Sequence, residues 1–107
     1  MKKFILIVML FLIFSVLAKE SEWRKYQGRM DWFSAKAKCK SIGMRLATLA
    51  EFESSFKASE LKKWERDGIF YWSSDESSEN TAYAFDAIDG KVAGDIKKGS
   101  VHVRCIK

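Results

Sequence analysis

The stretch Gly43-Met44-Arg45-Leu46-Ala47-Thr48-Leu49-Ala50-Glu51 punctuates the chain twice in quick succession. Gly43 is the residue type that closes a helix in the left-handed conformation. Thr48 and Glu51 have the spacing of a capping box, in which the hydroxyl and the carboxylate each satisfy an orphan N–H at the start of a helix. Met44–Ala47 is left between them as a brief extended link. Working upstream, Asp31 is a good N-cap, and Trp32, Ala35, Cys39 and Ile42 recur at helical spacing, which predicts a helix over Trp32–Ile42 with Cys39 on its buried face. Working downstream, Leu49, Phe52 and Phe56 share one face of a second helix. Leu61 and Trp64 begin a different face, so Ser59 opens a short extra turn, and Asp67-Gly68 ends the helical region.

Beyond Gly68 the pattern changes to one of short strands. Ile69–Ser73 is aromatic and β-prone, Ser74–Asn80 reads as a polar, acidic loop, and Thr81–Ala87 as a second strand. Asp89-Gly90 is a strong hairpin signal leading to Lys91–Ala93, and Gly94–Ser100 reads as a further loop. Val101–Lys107 alternates, with Val101, Val103 and Cys105 inward and His102 and Arg104 outward. Glu22–Gln27, carrying Trp23 and Tyr26, reads as a short opening strand. Helices followed by an antiparallel run predict a single α+β domain.

Before that domain lies an export segment. Lys2 and Lys3 precede the apolar run Phe4–Phe14, and Val16-Leu17-Ala18 offers small or modest side chains at the cleavage positions. Phe4–Ala18 would span roughly 22 Å as a helix, short of a ~30 Å hydrocarbon core. We therefore expect residues 1–18 to be a signal peptide and residues 19–107 the mature domain, secreted or held in the periplasm or cell envelope. Export gives the two cysteines an oxidising setting, and an even count there predicts one bridge, Cys39 to Cys105. The competing reading, a reactive cysteine served by His102, is disfavoured because the odd spacing of His102 and Cys105 sends them to opposite faces of a strand.

Composition removes several classes of function. With one histidine and two cysteines the chain cannot build a zinc site from four Cys/His ligands or a four-cysteine cluster. No nucleotide-cradling glycine motif occurs, so no cofactor is expected. The formal charge is +5, but the lysines are interspersed with acids rather than gathered into a basic stripe, which together with export argues against nucleic acid.

The ordered set of a tryptophan-bearing helix with a cysteine, then Gly43–Glu51, Tyr71-Trp72-Ser73-Ser74, Ala82-Tyr83-Ala84-Phe85-Asp86 with Gly90, and Val103-Arg104-Cys105-Ile106 resembles the Lcl-type C-terminal domain family. That family carries G-x-R-L-P-T-x-x-E, Y-W-S-S-T and a terminal V-R-C-V-R. It is similar in fold to C-type lectin-like domains and to non-catalytic relatives of formylglycine-generating enzyme. The resemblance covers about Trp23–Lys107. It implies two helices flanking a small antiparallel sheet, a disulfide from the first helix to the last strand, and Trp72 in the core. Ala47 stands where the family has proline. The proline-containing triplets with which calcium-dependent lectins hold sugar are missing, since the chain has no proline, and neither is there a Trp-Asn-Asp triplet. Calcium-dependent sugar capture is therefore not implied.

The candidate site residues follow from chemistry. Asp75, Glu76, Glu79 and Asn80 crowd one loop that could offer oxygen ligands to a cation, although the spacing fits no EF-hand and solvated acids explain it equally. Tyr71, Tyr83 and Trp64 are candidate stacking platforms for a sugar ring, against the alternative of core packing. Lys91, Lys97, Lys98, His102 and Arg104 fall in the last β unit and could form a cationic surface for sulfated or carboxylated polysaccharide, as the resemblance to adhesin-type members implies. The alternative is a set of ordinary solubilising lysines. No nucleophile–base pair is legible, and Asp86 with Asp89 imitates a glycosidase couple only around a hairpin turn. The expectation is a non-enzymatic recognition module with a shallow site for glycan or anionic polysaccharide, or alternatively for an extracellular protein partner.

Overall fold

The computed structural model describes residues 23–64 and 69–107. The expected signal peptide, the expected start of the mature domain, Glu22 and the expected Asp67-Gly68 stop lie outside the described residues.

The strands are β1 (Arg29–Met30), β2 (Arg45–Leu46), β3 (Phe70–Glu76), β4 (Thr81–Asp86), β5 (Val92–Ile96), β6 (Val101–His102) and β7 (Cys105–Ile106). The helices are α1 (Trp32–Ser41) and α2 (Leu49–Lys57), with a 3₁₀ segment at Glu60–Trp64. One sheet has the order β1-β6-β3-β4-β5, and a two-stranded sheet pairs β2 with β7. All pairings are antiparallel except the contact of Tyr71 with His102, where β3 and β6 run parallel.

Local chemistry sets the helix ends. Asp31 accepts a bond from the Ser34 N–H at 2.8 Å and so caps α1. Gly43 follows with φ of +72°, a backbone open to glycine without the Cβ penalty. The capping box opening α2 is complete: Thr48 accepts from the Glu51 N–H at 3.1 Å, and Glu51 accepts from the Thr48 N–H at 2.9 Å. Arg45 grips the same carboxylate through two bonds of 2.6 and 2.8 Å. That pairing and the cap hold the Glu51 carboxyl well below the usual range, at about 2.

The main sheet is covered on both faces. On one side α1 lays Trp32, Ala35 and Cys39 against Trp72, Ala82, Ala84, Val101 and Val103. On the other, Phe52 of α2 and Leu61 and Trp64 of the 3₁₀ segment pack on Tyr71, Phe85 and Ile106. The Cys39–Cys105 disulfide joins α1 to β7 across a sequence separation of 66.

Three expectations are revised. The terminal segment is two strands rather than one: Val101–His102 belongs to the large sheet and Cys105–Ile106 to the small one. Cys105 faces the first core and Ile106 the second, so both are buried. The opening segment pairs along it, with Gln27 N–H on Val103 C=O and Arg24 N–H on Cys105 C=O at 2.9 Å each, and enters the sheet only at Arg29 after a turn at Gly28. The strands β3 and β5 also run further than expected, through Glu76 and Ile96. Glu76 pairs with Ala82 and Gly94–Ile96 with Thr81–Tyr83, while an irregularity between Trp72 and Glu76 turns the Ser74 N–H to the Ala47 carbonyl, so the backbone is satisfied whatever the side chains.

Candidate functional site

The acidic loop residues are committed to holding the fold. The Asp75 carboxylate accepts from the Leu49 N–H at 2.7 Å, at the N-terminus of α2. Glu76 takes the Lys97 ammonium at 2.9 Å, and the Glu79 carbonyl takes the same ammonium at 2.7 Å. The Lys97 ion pair draws the Glu76 carboxyl below its ordinary range. Among the described residues no three His, Cys, Asp or Glu side chains converge on a point where a metal ion would sit. Asp86 accepts from the N–H groups of Ile88 and Asp89 at 2.8 and 3.0 Å, the bonds of a turn, which places it in the hairpin rather than in a carboxylate couple.

The structure redistributes the other candidates. Tyr71 and Trp64 are 0% and 5% exposed, so the stacking role expected of them gives way to packing. Their rings meet at 5.0 Å, and the Tyr71 hydroxyl donates to the Trp64 carbonyl. Tyr83 is half-buried on β4 opposite Gly94. Lys97 is only 4% exposed, with its ammonium 4.6 Å from the Trp32 ring centre. It belongs to the core rather than to a cationic surface, because Glu76, the Glu79 carbonyl and the indole face together replace its water. Lys91 and Lys97 flank opposite ends of β5, roughly 20 Å apart at strand rise. Lys91 and Lys98 are both exposed, and β5, which they flank, is separated from β6 and its His102 by β4 and β3. His102 instead faces Tyr26, whose hydroxyl lies 2.6 Å from Nδ1.

Arg104 has different company. Its guanidinium lies over the Trp64 ring at 4.5 Å and donates to the Arg24 carbonyl at 3.1 Å. It lines a concavity of about 560 Å³ with Trp23, Arg24, Lys25, Ser59, Glu60, Lys63 and Trp64. Among the described residues four cationic side chains and one acid line it. Two features build the wall. Trp23 is fixed by its indole N–H on Ser55 Oγ at 3.1 Å and by edge-on packing against Trp64 at 4.8 Å. Ser59, with φ of +61°, turns the chain sharply after α2 and sets the 3₁₀ segment carrying Lys63 beside it.

Two other concavities differ from it. One of about 620 Å³ is lined by Lys36, Lys40, Arg45 and Glu51, with Arg45 and Glu51 bonded to each other and no aromatic ring in its wall. Another of about 370 Å³ lies between Phe33, Ile96, Lys97 and Lys98, with the Lys97 charge already matched. Of these three concavities, the groove at Arg104 is the one where, among the described residues, several cations stand beside indole rings. Sequence reading named Arg104 as an outward residue, which the structure half-buries against Trp64, and missed Arg24, Lys25 and Lys63. The available signals were the Arg24-Lys25 and Lys62-Lys63 pairs, and only the antiparallel pairing of the opening and terminal segments brings the first pair to Arg104.

No protein-family model and no curated protein matches the chain. Among solved structures it is similar to TC14, a C-type lectin from the tunicate Polyandrocarpa misakiensis. The likeness covers 80% of this chain and 98% of that one, with a TM-score of 0.58 and 17% sequence identity. That degree of identity carries the architecture alone: the chain has a C-type lectin-like fold, with two helices about its sheets and one disulfide.

Proposed function

We propose that the chain is an exported, non-enzymatic recognition module that binds anionic polysaccharide, without calcium, in the groove between the opening segment and the 3₁₀ segment. One observation carries this reading: Arg24, Lys25, Lys63 and Arg104 line a groove with two indoles, and among the described residues Glu60 is the one acid in its wall. Guanidinium groups suit sulfate and carboxylate because their planar N–H fork matches those oxygens, and the half-buried Trp23 indole offers apolar surface to a sugar ring. A lectin-like architecture supports recognition as the task, of carbohydrate or of protein. The groove is open and shallow, as a small domain allows.

The test is calorimetric titration of the oxidised protein with heparin, with alginate as a carboxylated probe and dextran as a neutral one. Heparin or alginate should bind, dextran should not, and a chelator should change nothing. Binding should weaken steeply between about 0.05 and about 0.5 M salt, as screening shortens the reach of the charges. Arg24→Glu with Lys63→Glu should weaken it about tenfold or more, equivalent to about 1.4 kcal/mol. Equal affinity in that double variant, or retention of dextran alone, would overturn the reading.

A further inference from the structure

The outer edge of β5 has a pattern that selects its own partner. β5 is the terminal strand of the large sheet, and among the described residues no strand pairs with its outer side. Val92 is 49% exposed and Ile96 58%. The direction of each peptide group follows from the ladder with β4. Lys91 C=O accepts from Asp86 N–H, and Lys97 N–H donates to Asn80 C=O, both at 2.8 Å, so the odd-numbered residues point inward. In an antiparallel ladder the alternate residues then point outward, which turns the N–H and C=O of Val92, Gly94 and Ile96 to the free edge.

Ile96 is already closed off. Its N–H donates to Asp95 Oδ1 at 2.8 Å and its C=O accepts from Gly99 N–H at 2.9 Å. The open edge therefore reduces to Val92 and Gly94. An antiparallel partner able to use all four of those groups needs two outward residues at the same spacing, and β5 itself has that spacing.

We propose that β5 pairs with β5 of a second copy of this chain about a two-fold axis at Ala93, joining the two large sheets into one. Val92 then exchanges two backbone bonds with Gly94 of the other copy, and Gly94 two with its Val92, making four. The same register sets Lys91 directly opposite Asp95 of the other copy, twice, in non-hydrogen-bonded pairs, where cross-strand side chains come closest. Both side chains are exposed, and with Asp95 Oδ1 on the Ile96 N–H its Oδ2 is the oxygen offered to the lysine. Centring the axis on Gly94 instead would oppose Val92 to Ile96, whose backbone groups are occupied, and would forfeit the charge match. This surface uses no residue of the cationic groove and stands independently of the ligand proposed there.

Sedimentation velocity of the oxidised protein tests this from about 10 µM to about 1 mM, a range suited to a small interface. The parent should move from monomer to dimer. Lys91→Glu alone sets two carboxylates against each other across the interface, and Asp95→Lys alone opposes two ammonium groups, so each should stay monomeric while melting as a folded protein. Mixed in equal amounts the two variants regain an opposite-charge pair at both positions, and the mixture should dimerise. A parent monomeric throughout, single variants that dimerise as well as the parent, or a mixture that stays monomeric would each overturn the proposal.

Discussion

Replacing Lys97 by methionine separates a lysine that holds the fold from one that meets solvent. The Lys97 ammonium is enclosed by Glu76 at 2.9 Å, the Glu79 carbonyl at 2.7 Å and the Trp32 ring at 4.6 Å. Losing a charge-assisted bond to the carbonyl removes about 1.5–3 kcal/mol. Losing a largely desolvated cation–π contact removes about 1–2 kcal/mol. The Glu76 side chain is 51% exposed, so its carboxylate hydrates once its partner is gone and adds no burial penalty. Methionine recovers roughly 1 kcal/mol of apolar burial, leaving a net loss of about 1.5–4 kcal/mol. For a domain of this size that lowers the melting temperature by about 6 °C or more. The assay is thermal unfolding followed by near-ultraviolet circular dichroism at neutral pH, beside Lys98→Met, whose exposed side chain should leave the melt unchanged. Heparin affinity of the Lys97 variant, measured well below its melt, should equal that of the parent. A Lys97→Met protein melting within about 2 °C of the parent would refute the account.

Two further expectations concern the elements around α1 and α2. Cys39→Ser removes a closure of 66 residues and should lower stability by about 4 kcal/mol on the loop-entropy account, read as a large fall in the denaturant midpoint relative to the oxidised parent. The Glu51 carboxyl sits at about 2 in the folded protein against an ordinary value of 4.5, so the unfolded chain binds its proton first. Its stabilisation is full above about pH 4.5 and fades as pH falls toward 2, by about 1–2 kcal/mol after allowance for solvent around Arg45. Urea unfolding across that window should show the decline, and Glu51→Gln should flatten it.

What could be read from the residues was whatever depends on near neighbours in the chain. Asp31, Gly43 and the Thr48–Glu51 pair each act within one turn of helix, so α1 and α2 were legible with their ends. The bridge was legible because two cysteines allow one pairing. The faces of the strands were not. Alternation separates inside from outside when a sheet has one wet face, whereas here α1 covers one side and α2 with the 3₁₀ segment the other, so Tyr71 and Trp72 are both at 0% exposure. Nor could spacing reveal which lysine the fold would enclose. Lys97 and Lys98 are adjacent and chemically identical, and only the convergence of Glu76 and Glu79 from one segment with Trp32 from another, distant in sequence, withdraws the first from solvent. The cationic groove has the same origin, since Arg24 meets Arg104 through strand pairing at a separation of 80 residues. Caps and turns are short-range and carry their partners with them. The enclosure of a charge and the gathering of a surface depend on long-range packing, and exist only once the chain has closed.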